Sequence, residues 1–507
     1  MTKMFVRLAP ITPQNSQNSI CAAAVDSRLT PRLSTNTKAS GANIAITDST
    51  PLSLSATTAT GTLTAVSNGA ITQTGAISTG GLASLTAGAA NDITLTTAGN
   101  ALASVGIVSG NNVSITEADG IALATSAVSG NLTLNSGGAI TQSGTLTVGG
   151  ASTLTATGDI NLAGSSSFTG DVKFNGGANV AINDIKSDLN ITNGSSATGN
   201  LAITSAGVIT DGGTLTVGGN AGFTGTSATL DGLAVTGTVG VSVTGDATLV
   251  NATGLALSAS SIGGNLSATA TTGDLTDTGV VSVGGNATFT TSAANADINL
   301  DQTTVTGSTQ LNTNGATGNA SFTTTGPVVL NGTTTGGNLT VNTTGNITQS
   351  ANLTVGGTTS VTGNNITLAN AANSFGGDVG FTGANVSLQD NGALGLSAST
   401  ATGTLSIQAA GAVTQSGAIT TGSDATVTAT GFDITLNNAS NSFAGTVGFS
   451  GANVNLRDTT ALAVAASTAT GNLTLQSGAA ITQTGALSVT GNTTATATGD
   501  ITLNNAS

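Results

Sequence analysis

Five aspartates recur in one local setting and are the first residues to invite a chemical reading. Asp92, Asp159, Asp297, Asp433 and Asp500 each precede an isoleucine in the pattern D-I-T/N-L. Carboxylates repeated at one structural position could form a calcium array. Calcium takes roughly 6–8 oxygens from clustered ligands. If one such Asp falls in every third coil of a stacked structure, neighbours stand about 14 Å apart. That is too far to share an ion. The G-G-x-G-x-D nonapeptide of calcium-binding rolls is absent. These Asp are therefore read as turn residues at strand entry, and no metal site is expected.

A second group is Asp184 and Asp188 with Lys186 and Lys173, the most charged stretch of the body. Paired carboxylates can act as acid and base on a glycosidic bond. An enzyme of that kind also needs irregular loops to build a cleft, and the chain has almost none. The stretch occupies a slot that other units fill with ordinary repeat residues, so no catalytic or cofactor-binding residue is expected. Phe168, Phe375 and Phe443 fall at equivalent positions in S-F-x-G, and Phe174, Phe381 and Phe449 follow six residues later. Sugar platforms favour Trp and Tyr, so both sets are read as interior residues of successive strands. T-x-T runs such as Thr94-Leu95-Thr96 and Thr145-Leu146-Thr147 could order water. An ice-binding face needs them on one side of many consecutive coils, and here their position varies.

The remaining composition removes whole classes of chemistry. The chain has no His, which excludes a Ser-His-Asp triad, a His-ligated metal and an imidazole shuttle. One Cys forms no internal disulfide and no Cys-based zinc site. From residue 39 onward only Lys173, Lys186 and Arg457 face 21 acids. Such a body repels nucleic acid and anionic lipid. Mean hydropathy is positive at +0.26. Yet no apolar run approaches the roughly 18 residues of a membrane helix, so no direct membrane insertion is expected.

The elements that carry these residues follow from an internal repeat. The anchor G-x-I-T-Q-S/T-G and its variants place Thr at 72, 141, 210, 276, 348, 414 and 482. A second anchor, T/S/G-G-N/T-L, places Leu at 63, 132, 201, 266, 339, 405 and 473. The D/N-I-T/N-L pattern keeps the same step. So does G-A/N-N-V/I-x-L/I, at Gly41, Gly110, Gly177, Gly383 and Gly451. The period is about 68 residues. Inside each unit, alternating runs of three to five residues are separated by Gly, Asn or Ser-Gly. These read as short strands joined by tight turns. No helical stripe with caps occurs in the body. Low complexity and scarce aromatics would suit a disordered chain, but the alternation of β-branched residues argues for strands.

A propeller would repeat every 40–50 residues or so, and a sandwich array about every 90–100. Three short strands per coil, at about 22–23 residues per coil, instead divide the period into roughly three coils. The expected fold is an all-β, right-handed parallel β-helix, a rod of about 100 Å with coils stacked near 4.8 Å. Inward positions then take Val, Ile, Leu and Ala, outward positions Thr and Ser, and corners Gly and Asn. Low charge follows, since like charges stacked at each rung would repel. Residues 39–507 are expected to form this shaft. Residues 1–38 hold five of the eight bases and the single Cys, do not fit the repeat, and are expected to be disordered or a miscalled start. The final residues, Asn504 to Ser507, stop within a unit, so the chain is expected to be a piece of a longer protein.

The units, as in Gly471 to Ser507 continued by the equivalents of Asn441 to Leu456, resemble the repeats of filamentous-haemagglutinin-like and β-strand-repeat exoproteins of Gram-negative bacteria. The resemblance spans about residues 39–507. It implies a β-helical shaft, a secreted or cell-surface location, and a non-catalytic role in adhesion or biofilm formation. The implied partners are glycans or proteins on a host or neighbouring cell. The export signal and anchor expected of that family are not present in this chain. A surface-layer or matrix protein, self-associating laterally or end to end, is the alternative, and a β-helical polysaccharide-active enzyme a remote one.

Overall fold

Residues 19–21, 27–29 and 37–504 are described by the computed structural model. Alternation of apolar and hydroxylated residues sets the local structure throughout. Leu473–Ser477, for example, buries Leu473, Leu475 and Ser477 and turns Thr474 and Gln476 outward. β-Branched and hydroxyl side chains suit that half-buried, pleated surface. Among the described residues there is no helix, and every strand pairing is parallel. The chain divides into two units, residues 1–190 with 195–198 and residues 191–194 with 199–507. Each is a parallel β-solenoid.

An ordinary coil has two faces. One carries a single long strand, such as Leu405–Ala409. The other carries two short strands that meet at a corner, such as Val413–Gln415 and Ile419–Thr421. Equivalent residues pair from coil to coil. Val386 pairs with Leu405, Leu405 with Ala425 and Ala425 with Val447, in steps of 19, 20 and 22 residues. The interior is a file of these inward residues. Phe168 and Phe174 are fully buried, and Phe375, Phe381, Phe443 and Phe449 are 5% exposed or less. Both phenylalanine sets thus lie in the core, as the spacing suggests.

One departure from the ordinary coil recurs. Val379–Gly383 is a long strand followed directly by another, Val386–Asp390, on the opposite face. The same succession joins Ala101–Ser109 to Val113–Glu117 and Thr446–Gly451 to Val454–Asp458. The extra long strand adds half a coil. From Leu405 the pairing runs through Ala425 and Val447 to Val464 on one sheet, and the next equivalent leucine, Leu473, stands on the other. The unit is therefore three and a half coils of about 20 residues, where the sequence rhythm suggested three of 22–23. The short-short-long pattern is closed by a second long strand that no composition signal announces.

Ahead of the shaft, Ser19–Cys21 pairs in parallel with Lys38–Gly41, and Ser27–Leu29 with Ile44–Asp48. Apart from Thr37, the rest of the 1–38 segment, and residues 505–507, lie outside the described residues. So does the greater part of the segment expected to be disordered.

Candidate functional site

The D-I-T/N-L aspartates sit where the chain enters a strand. They are joined to the next coil by side-chain hydrogen bonds. Oδ1 of Asp92 accepts the Asn112 backbone N–H at 3.0 Å and its side-chain amide at 3.1 Å. Asn112 does the same for the Asn131 N–H, and Asn131 for the Ala151 N–H. Asp159, Asp297 and Asp433 likewise hold Asn179, Asn319 and Asn453. Asn112, Asn319 and Asn453 give both backbone N–H and side-chain NH₂ to the oxygen below and offer their own oxygen to the N–H above. Asp92, Asp159 and Asp433 head their ladders with a carboxylate, which needs no acceptor beneath it.

The I-T-Q anchor has an equally specific role. Gln73 and Asn100 exchange two amide hydrogen bonds of 2.8 and 2.9 Å. Gln349 pairs with Asn373 and Gln415 with Asn441 in the same way. The three Asn are fully buried, and each also accepts a core backbone N–H, from Ile77, Leu353 and Ile419 respectively. The pairing was not apparent from the sequence. Its signal is an Asn 24–27 residues after the Gln. Gln142 meets Ser166, and Asp277 meets Thr303. At the same anchor position Asp211 accepts N–H groups of Asp231 and Gly232. Burial, opposed by those two bonds, pushes its carboxyl up to about 6.

The junction of two long strands holds a third set. A long strand facing two short ones spans the corner between them, where the backbone ladder is interrupted. Val379 pairs with Leu396 and Thr382 with Thr400, leaving the middle of the strand opposite the corner. There Ser399 Oγ accepts the Phe381 N–H at 3.2 Å. Ser126, Ser195, Ser260, Thr333 and Ser467 do the same for Ile107, Phe174, Val241, Leu311 and Phe449.

On the other side of the junction, the fifth residue of the second long strand is a buried acid: Asp48, Glu117, Asp184, Asp390 or Asp458. Glu117, Asp184 and Asp390 reach toward the corner of the coil below, whereas Asp48 and Asp458 hold the N–H and hydroxyl of Thr50 and Thr460 in the turn that follows. Glu117 Oε2 accepts the Leu102 N–H at 2.7 Å, and Asp184 Oδ1 the Phe168 N–H at 3.3 Å. Asn251 serves the Val235 N–H at 2.8 Å. Burial pushes the Glu117 carboxyl up to about 7, against the pull of Leu102 and with a smaller push from Asp119. Burial raises Asp390 as well, opposed by the N–H groups of Gly392, Phe375 and Asn391.

Of the charged stretch singled out in the sequence, Asp184 is the acid of a recurring junction, and it is fully buried. Asp188 and Lys186 are exposed and Lys173 is half-buried, so the four do not form one surface cluster. Thr94, Thr96, Thr145 and Thr147 face outward. The surface grooves among the described residues include ones of about 340, 640 and 570 Å³. The smallest is lined by Arg457, Asp458 and Gln476, the others by Ser, Thr, Ala, Gly, Asn and strand residues of the core. Among the described residues no group of three acids or thiols is placed to hold a metal ion.

A family model described as repeats of unknown function (DUF5649) matches residues 41–109, 110–175, 177–242, 244–314, 317–382, 383–450 and 451–507. The chain belongs to this family. Its boundaries have a structural meaning. Four matches, at 110, 177, 244 and 317, begin in the turn between two consecutive strands of a junction, and the three at 41, 383 and 451 begin at the last residue of the first of those strands. One family repeat is thus three and a half coils, running from one junction to the next. No curated protein and no solved structure matches the chain.

Proposed function

We propose that the repeat body is a non-catalytic adhesin shaft, secreted or displayed at a bacterial cell surface. Its partners are glycans or proteins of a host or neighbouring cell. The observation that carries this reading is where the recurring polar side chains are engaged. The Asn/Asp ladders, the Gln–Asn pairs, the junction Ser caps and the acids Glu117 and Asp184 bond to the next or the preceding coil. Such side chains serve continuity of the stack. The outward Thr and Ser, with few charges, leave a hydrated surface suited to many weak contacts. The resemblance to filamentous-haemagglutinin-like repeats supports the same reading. Beads coated with the full chain and washed over cell monolayers and immobilised glycans should be retained well above beads coated with an unrelated protein. No retention, together with ordered sheets of the protein under the electron microscope, would overturn the adhesin reading in favour of a layer-forming protein.

A further inference from the structure

The junction acids do more than complete the fold. At the second junction, Val113–Glu117 lies over Ile93–Leu95 in register, and Glu117 extends past the last paired residue to the Leu102 N–H. That N–H has no ladder partner across the corner, so the carboxyl of Glu117 is its bond to the neighbouring coil. Glu117 is 3% exposed, and its other oxygen, Oε1, has no hydrogen-bond donor among the described residues. A buried carboxylate with one oxygen unsatisfied is costly, whereas the neutral acid is far less so. The charged surroundings give no relief. Asp119 is the neighbouring charge, and Ile93–Leu95, Ala101–Ser109 and Leu132–Ser136, which pack against the strand, carry none. Asp458, at the equivalent position, is also buried with Oδ2 lacking a donor, but its Oδ1 is held by Thr460 two residues on rather than by the preceding coil.

We infer that Glu117 is a proton-dependent latch, which closes the junction at residues 101–117 when neutral and lets that junction open locally when ionised. This holds whether or not the chain is an adhesin. The sign follows from burial. The carboxyl is pushed from its ordinary value of 4.5 up to about 7 in the folded chain, so the folded state keeps a proton that the open state releases. The latch contributes fully below about pH 4.5. Its contribution is lost as the pH rises to about 7, and above that no further change is expected.

The chain contains its own control. The equivalent position in the fourth repeat is Asn251, which makes the same bond to the Val235 N–H and does not titrate. Hydrogen exchange of the full chain, read by mass spectrometry at pH 5 and pH 8 and corrected for intrinsic rates, separates the two. Peptides covering 99–117 should lose protection by about tenfold or more at pH 8. Peptides covering 233–251 should not change with pH. Glu117→Gln should keep the 99–117 protection at both pH values. The inference is overturned if the 99–117 peptides are equally protected at both pH values. It is also overturned if they lose protection in step with 233–251, or if Glu117→Gln shows the wild-type loss. Should Glu117→Gln fail to fold, Asp119→Asn serves in its place. Removing that neighbouring charge should let Glu117 ionise more readily and so shift the loss of protection to lower pH, and an unchanged midpoint would count against the latch.

Discussion

At the scale of single residues, the buried amide pairs are where one substitution should matter most. Asn441 is fully buried, pairs twice with Gln415, and holds the Ile419 N–H and the Leu436 carbonyl. Asn441→Ala removes all of these partners at once from groups that water does not reach. A loss of about 3 kcal/mol is expected, from several unsatisfied groups at roughly 1–3 kcal/mol each. The check is urea denaturation of the variant, with Gln415→Ala and the double variant completing a cycle. Coupling of at least about 1 kcal/mol is expected for residues in one network. Additive losses would show that the amide pair itself contributes nothing. The sequence made some of this legible. The D-I-T/N-L aspartates read as turn residues, and they do stand at strand entry. Their bonds to the next coil were not readable, because a partner about 20 residues away in a 68-residue repeat depends on the coil length, which the period alone does not give. The Gln–Asn pair was hidden for the same reason.

Strands and turns were the most legible elements, because alternation and Gly/Asn punctuation are local. The corner glycines show why the punctuation is strict. A Cβ on Gly422 would press into the backbone of Thr402 in the coil below, 2.7 Å from its carbonyl carbon. Backbone cannot swing aside as a side chain does, so Gly422→Ala should destabilise its coil by about 2 kcal/mol or more. Limited proteolysis should then nick the variant near residue 422, and wild-type resistance there would refute the argument. What alternation could not reveal is the long strand following a long strand. Thr446–Gly451 and Val454–Asp458 look like any other pair of strands in sequence, and only their pairing shows that they face each other across the interior. The Ser caps are the trace this leaves. Ser399→Ala should expose the Phe381 N–H without a partner and cost about 1–2 kcal/mol, whereas the same change at outward Ser406 should cost little. Equal effects at both positions, measured by thermal unfolding, would remove the special role assigned to the junction.

For the whole molecule, the period was legible and its division was not. Seven occurrences of each of two anchors matched the seven family repeats, yet the count of coils per repeat needed the pairing. This division makes a deletion test possible. Removing residues 383–450 joins Thr382 to Gly451, the equivalent of Gly383, and so replaces one junction by an identical one. That variant should fold with β-rich circular dichroism and a melting temperature within a few degrees of the parent. Removing residues 383–416 instead brings a junction against a mid-repeat corner and should give an aggregated or poorly cooperative product. If both deletions behave alike, the junction is not the unit boundary. The half coil also carries an evolutionary rule. Duplication or loss of a single repeat reverses the side from which the chain emerges, while a change by two restores it. A lineage that must keep a terminal module facing one way is therefore free to vary its repeat number only by even steps, so parity, rather than length, is what selection can see.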